Sequence, residues 1–362
     1  MIGRFKKLKK VKEFLKRKNI EISAKRYGVD ALGAMAQGLF ASLLIGTIVG
    51  TLGTQLSIEA FVAVGNFAKE THVVGAAMAC AIGWALQCPP LVLFSLITVG
   101  AATNELGGAG GPLAVLIITV IAAELGKAVS KETKIDILVT PFVTIFSGSM
   151  LAVLFAPVIG SAASSLGNII IWATDLQPFV MGILISVLVG IALTLPISSA
   201  AICAALGLTE LAGGAAVAGC SAQMIGFAVM SFKENGVSGL ISQGLGTSML
   251  QMPNIVRNPR IWLPPTLASA ITGPIATCIF KLQMNGAPVS SGMGTCGLVG
   301  QIGVYTGWLS PTNGAAAINP SIENWIGLIL ISFVLPAILS TAFCIVLRKI
   351  GWIKENDLKL DT

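Results

Sequence analysis

Charge is what this sequence has least of. Only 11% of its 362 residues are Asp, Glu, Lys or Arg, where soluble domains carry about 25%. With 54% hydrophobic residues, a soluble fold of this length has nowhere to hide its apolar surface. The chain reads as a polytopic helical membrane protein. Period-two alternation is lacking too, and long unbroken apolar runs stand in its place, which excludes an outer-membrane barrel. There is one histidine, His72. One imidazole makes no metal cluster and no Ser/His/Asp elbow is visible, so we expect no metal, no cofactor and no catalytic residue in this chain alone. His72 itself, in Lys69-Glu70-Thr71-His72, reads as a bland residue at a membrane edge. The seven cysteines form no CxxC pair and read as small buried hydrophobes. No cleavable secretory signal precedes the first apolar run.

The charge that is present is unevenly placed. Eleven of the 23 Lys and Arg lie before residue 27. The positive-inside rule explains this more simply than nucleic-acid binding, and we expect no nucleic-acid partner. Residues 3–18 put Phe5, Leu8, Val11, Phe14 and Leu15 on one helical face and cations on the other. That pattern predicts an amphipathic helix lying on lipid at the cytoplasmic surface. Spans are expected over 31–53, twice within 73–103 around Gln87-Cys88-Pro89-Pro90, up to Gly126, over 137–160, 179–196, 213–232, 264–280 and 325–347. Residues 57–70 and 161–177 read as external pieces. Lys127, Lys131 and Lys134, with Arg348, Lys349, Lys354 and Lys359, place the loops between and both termini in the cytoplasm. The expected fold is an all-α polytopic membrane protein of about ten transmembrane helices with two re-entrant hairpins. Residues 1–29 form the amphipathic basic helix, 30–347 the membrane domain and 348–362 a cytoplasmic tail. The expected setting is a cell membrane.

Residues 195–265 stand apart. They are apolar enough for a membrane, yet proline, glycine and amides interrupt them, and Glu210 is an isolated carboxylate among them. Broken backbone survives in lipid only where protein buries it or where it lines a wet cavity. An intramembrane acid costs roughly 3 kcal/mol on insertion scales and so marks a pathway or a pair. We expect a re-entrant hairpin over 198–211 and an irregular piece over 237–253, walling a site for a polar solute. Glu210 would accept hydroxyl hydrogens there, or cap a helix N-terminus. Thr209, Gln251, Asn254 and Gln301 are further lining candidates; the amides suit a polyol, or satisfy backbone groups freed by prolines. Glu124 reads as the structural partner of Lys127. Two echoes suggest an internal repeat. One pairs Gln87 and Glu105 with the stretch leading to Glu210, each followed by a Lys-Glu step, Lys131-Glu132 and Lys233-Glu234. The other pairs Gly244-Leu-Gly-Thr-Ser248 with Gly292-Met-Gly-Thr-Cys296. If the first is real, Glu105 and Gln87 join the site.

Several runs carry a family resemblance: Arg26-Tyr-Gly-Val-Asp-Ala-Leu32, Gln243-Gly-Leu-Gly-Thr-Ser-Met-Leu-Gln-Met-Pro-Asn254, Asn258-Pro-Arg-Ile-Trp-Leu-Pro-Pro265 and Ser291-Gly-Met-Gly-Thr-Cys-Gly-Leu-Val-Gly-Gln301. With them the chain resembles the membrane (IIC) component of the sugar phosphotransferase system, in the standalone branch that includes the perfringolysin-regulator type. Gly207-Leu-Thr-Glu210 looks like the GITE motif of glucose-superfamily IIC domains, with Leu208 for isoleucine and no proline after the acid. The resemblance implies a homodimeric permease that moves a sugar by alternating access, its acid touching the sugar. It also implies separate IIB and IIA phosphocarrier partners, since residues 1–29 and 348–362 are too short to fold as such domains. Two other classes stay open: a membrane regulator with this fold, and a solute carrier independent of phosphorylation.

Overall fold

Prolines, and residues held at positive φ, decide where this apolar chain stops and turns. The computed structural model describes residues 2–360, with side chains from Lys10 onward. Its regular elements are helices, and a lone bridge between Glu210 and Met284 is the nearest approach to a strand among the described residues. Five helical segments are long and apolar enough to cross a membrane. They form a helical membrane protein, with the remaining apolar helices shorter or interrupted.

Helix α1 (Ile2–Arg17) is the basic N-terminal helix. Phe14 and Leu15 are half-buried and Val11 is exposed; Phe5 and Leu8 lie outside the described side chains, as do residues 361 and 362 of the tail. Helix α2 (Arg26–Leu56) runs unbroken for 31 residues, longer at both ends than expected. Ser57, at φ 56°, turns the chain into α3 (Glu59–Ala68), which lies back along α2. Gly65 meets the backbone of Gly46 and Gly50 there, a close approach that only small residues permit. Residues 57–70, the expected external piece, are therefore largely helical, with Gly65 the buried contact on α2. After a break at residues 69–70, α4 (Thr71–Ala85) continues along α2 until Gln87, at φ 54°, and Pro89 stop it.

Helices α5 (Pro90–Gly107) and α6 (Gly111–Val129) form a hairpin, with Asn104 beside Gly111 near the turn and Val92 beside Gly126 at the base. Gly108, at φ 49°, makes the turn. Helix α7 (Asp136–Thr174) then runs 39 residues without interruption. The external segment expected over 161–177 is therefore mostly helix. Pro157 lies within α7 and does not end it. Ser161 donates to the Pro157 carbonyl and Ser165 to that of Ser161, and Gly160 seats the helix against Gly107.

Helix α8 (Pro178–Thr194) stops before Pro196, and the chain reverses into the short α9 (Ser199–Ala205). Ser198 caps it by accepting from the Ala201 N–H. Helix α10 (Glu210–Met230) follows and is the most buried span. It packs with α8 and α13 (Leu263–Pro274) through small residues: Gly182 against Gly273, Gly190 against Gly219, and Ser186 Oγ donating to the Ser269 carbonyl at 2.8 Å. Between α10 and α13 lies a broken hairpin. It consists of α11 (Phe232–Ile241), a wide turn over Ser242–Gly246, a tight turn over Ser248–Gln251, and α12 (Met252–Arg257). After α13, residues 288–298 descend irregularly and α14 (Val299–Leu309) returns. Helix α15 (Ile322–Lys349) closes the bundle.

Both ends of the chain lie on one side of the bundle. Arg17 pairs with Glu132 at 2.8 Å, Arg348 pairs with Glu234, and Leu360 sits beside Val29 and Asp30. The Lys-Glu steps of the first echo are thus the two points where the terminal helices are tied down. Lys127 is buried and pairs with Glu124 at 2.7 Å, as the spacing predicts. Cys203, Cys220, Cys296 and Cys344 are buried; Cys80 and Cys88 are half-buried. Cys278 is exposed, because it lies where α13 widens at its end and faces outward.

Candidate functional site

Inside the bundle the interruptions converge. A cavity of about 470 Å3, within the roughly 300–1,000 Å3 of small-molecule sites, opens where five breaks or turns meet the middle of α2. Its lining comes from α2 (Leu39, Leu43, Leu44), the α3–α4 break (Lys69, Glu70, Thr71, His72), the α5–α6 turn (Asn104, Glu105, Gly108), the α8–α9 turn (Ile197, Ser198, Ser199), the α11–α12 hairpin (Gly246, Thr247, Met249) and the segment before α14 (Met293, Cys296). Each break frees backbone donors and acceptors, and a wet cavity is where an apolar protein tolerates them.

One wall carries the charge. His72 Nδ1 lies 3.5 Å from Glu105 Oε2, with both side chains exposed to the cavity mouth. Lys69 and Glu70 stand beside them. Asn104 Nδ2 donates to the Thr71 carbonyl at 2.9 Å and fixes the end of α5 against the start of α4. This wall offers carboxylate acceptors and cationic donors within one chamber, while leucines, Ile197 and the methionines face it. That division suits a solute with polar edges and an apolar face.

The opposite walls are turns that meet tip to tip. The Ser198 N–H donates to the Ala109 carbonyl at 2.8 Å, joining the α8–α9 turn to the α5–α6 turn. Thr295 Oγ1 donates to the Gly244 carbonyl, joining the two stretches of the second echo. They approach from opposite sides of the bundle. Behind them Gln223, wholly buried, accepts from Trp262 Nε1 at 2.9 Å and donates to Thr266 Oγ1 at 3.2 Å. Thr194 lies 3.3 Å from the same amide and 2.8 Å from Ser248 Oγ. This satisfied network holds the end of α8 and the α11–α12 hairpin in register.

Of the residues singled out from the sequence, Glu105 alone is among those lining this cavity. Glu210 begins α10 at φ 55°, its backbone paired both ways with Met284, and its side chain is exposed at the far end of the bundle from the termini. Thr209 is beside it, 3.5 Å from Asn313 Nδ2, which also donates to Asn285 Oδ1 at 3.0 Å. Helix α9 links this polar rim to the cavity. Gln251 is buried and donates to Gln243 and to the Leu358 carbonyl; Asn254 donates to Gln251 and to the Lys359 carbonyl. Of the two readings open for these amides, binding backbone is the one the contacts favour, although the backbone is that of the C-terminal tail. Gln301 is buried and donates to Ser221 Oγ at 3.2 Å. Gln87 accepts from Asn19 on the side of the termini. Sequence reasoning reads His72 as bland, includes Ser198 only within the expected hairpin, and names none of Lys69, Asn104 and Gln223 as a lining candidate. The one available signal was the polar run 69–72 between two apolar helices, which looks identical to a surface turn until its neighbours are known.

The family model described as phosphotransferase system, EIIC, matches residues 29–360. No curated protein and no solved structure matches the chain.

Proposed function

The chain belongs to the phosphotransferase system EIIC family, and we propose that it is the sugar-translocating subunit of a phosphoenolpyruvate-dependent system whose phosphoryl groups come from separate IIB and IIA proteins. The observation that carries this reading is the cavity in which five chain interruptions and the Glu105–His72 pair meet. The solute is a neutral hydroxylated molecule. Its hydroxyls donate to Glu105 and accept from Lys69 or His72, and its carbon face rests on Leu39, Leu43 and Ile197. Glu210 and Thr209, with Asn285 and Asn313, form a receiving rim on the side away from the termini. Gln251, Asn254, Gln301 and Gln87 support the walls rather than touch the sugar.

The topology proposed is about ten membrane crossings, counting the short helices, with the α8–α9 and α11–α12 hairpins re-entrant. The face that holds both termini is cytoplasmic and carries α1 on the lipid surface, in a bacterial plasma membrane. Residues 30–347 form the permease unit, working as a homodimer. Alternating access moves the tip-to-tip turns apart on one side at a time.

Uptake of labelled sugars into vesicles, with and without purified IIB and IIA proteins, tests the reading. Accumulation of sugar phosphate only when both are present is expected. Uptake of free sugar at the same rate without them would replace it with a phosphorylation-independent carrier. Absence of uptake together with retained sugar binding would favour a sensor.

A further inference from the structure

The side of the bundle that holds the termini contains a second, smaller cavity of about 210 Å3, bounded by Val29, Asp30, Trp84, Pro253 and Leu360. It lies along the same interface as the large one, between α2 and the α11–α12 hairpin. Two contacts separate them. Pro253 rests on Gly33, and the ring of Phe40 lies so close over Gly246 that a methyl group there would collide with it. The hairpin is therefore a partition between a central chamber and a vestibule on the side of the termini.

What presses this partition onto α2 is the C-terminal segment, residues 351–360. After α15 the chain folds back under the hairpin and buries Ile353, Leu358 and Leu360. Four amide side chains of the hairpin region grip its backbone and one of its side chains. Asn235 binds it both ways, donating to the Leu358 carbonyl at 2.8 Å and accepting from the Leu360 N–H at 2.9 Å. Gln251 donates to the same Leu358 carbonyl at 2.9 Å, and Asn254 to that of Lys359 at 2.8 Å. Asn258 donates to Asp357 Oδ2 at 2.8 Å and to the Trp352 carbonyl at 3.0 Å.

We propose that residues 351–360 are a releasable strap that holds the α11–α12 hairpin against α2, and that their release joins the vestibule to the central chamber. The physical case is that the segment contains no regular helix. Its hold rests on side-chain amides, three apolar plugs and the Arg260 guanidinium 5.1 Å from the Trp352 ring centroid, contacts that water or a partner can replace. The hairpin, by contrast, is irregular at its tip, with a wide turn and a tight turn in succession around Thr247, so a few backbone torsions suffice to swing it. The strap closes the face on which both termini lie, and leaves the α8–α9 turn and the rim around Glu210 untouched. The inference stands on the packing and does not depend on the solute being a sugar.

The test reads access to the chamber directly. Ala200, in the first turn of α9, lines the large cavity and is remote from the strap. In full-length protein carrying Ala200→Cys, a small membrane-impermeant thiol reagent is applied to sealed vesicles of each orientation, and modification at residue 200 is followed by peptide mass spectrometry. Two changes release the strap: Leu358→Asp, which puts a charge into its deepest socket, and truncation after Ile350. At least a tenfold faster modification from the side of the termini, with the rate from the opposite side unchanged, is expected for both. A change under twofold, or an equal rise from both sides, overturns the proposal. So does aggregation of both variants, since the segment would then be a fixed part of the fold.

Discussion

The charged wall and the amide-rich hairpin each hold residues that the sequence offers as lining candidates, Glu105 in the one and Gln251 and Asn254 in the other. They use their polar groups in opposite ways. Glu105 and His72 have each other at 3.5 Å and otherwise face the cavity. Gln243, Gln251 and Asn254 are buried in a relay that runs from Ser231 to the tail's carbonyls. A buried amide whose donors are already matched has little left for a guest, whereas a carboxylate at a cavity mouth keeps lone pairs free. The difference teaches that residue type proposes a site but the availability of partners decides it.

Four changes would break or sharpen this contrast. The largest effect is expected from Glu105→Gln, which keeps shape and removes the charge. Solute affinity should fall at least tenfold, about 1.4 kcal/mol, with Tm nearly unchanged; titration calorimetry and thermal unfolding measure both. An unaltered affinity would remove Glu105 from the site. Gln251→Ala should do the reverse. It leaves the buried Gln243 side-chain oxygen without its donor, at a cost of about 1–3 kcal/mol, so Tm should drop by several degrees while affinity in the remaining folded protein stays within about twofold of the native value, a margin of roughly 0.4 kcal/mol. A large loss of affinity without loss of stability would place this amide in the site after all.

Glu210→Gln should have a smaller effect, slowing uptake while leaving equilibrium affinity close to native, because in the proposed function the rim receives the solute rather than holding it. A loss of affinity as great as that of Glu105→Gln would move the site to the rim. The smallest effect concerns the anchoring of α1. The hydrogen bond from Lys18 holds the Glu132 carboxyl below its ordinary range, and Arg17 adds to this. A depressed carboxylate contributes stability above its unfolded pKa and loses it as pH falls through its folded value. Trypsin cleavage near residues 16–18 should therefore rise only on acidification below the ordinary glutamate range. A rise between neutral pH and that range would point to a different anchor.

Much of the helical plan was legible because its causes are local. The break at Pro89-Pro90, the start of α8 at Pro178 and the positive φ at Gly108 follow from backbone geometry that proline imposes and glycine permits. The length of α7 was misjudged since Pro157 and a serine-rich stretch resemble a boundary, and only the packing of Gly160 on Gly107 shows that the helix continues. The first echo led to Glu105 through its likeness to Glu210, yet the two acids occupy unlike places, one at the end of α5 and one at the start of α10.

By itself the sequence determined that this chain lives in a membrane and that its helices are repeatedly interrupted. Hydrophobic content and backbone chemistry are properties of each residue and its neighbours, so they need no fold to be read. Which interruptions meet, and which amides remain free, was decided only in three dimensions. His72 lies 33 residues from Glu105, and Gln251 lies 107 from the carbonyl it binds. Contacts over such separations depend on how whole helices pack, and no local pattern encodes them.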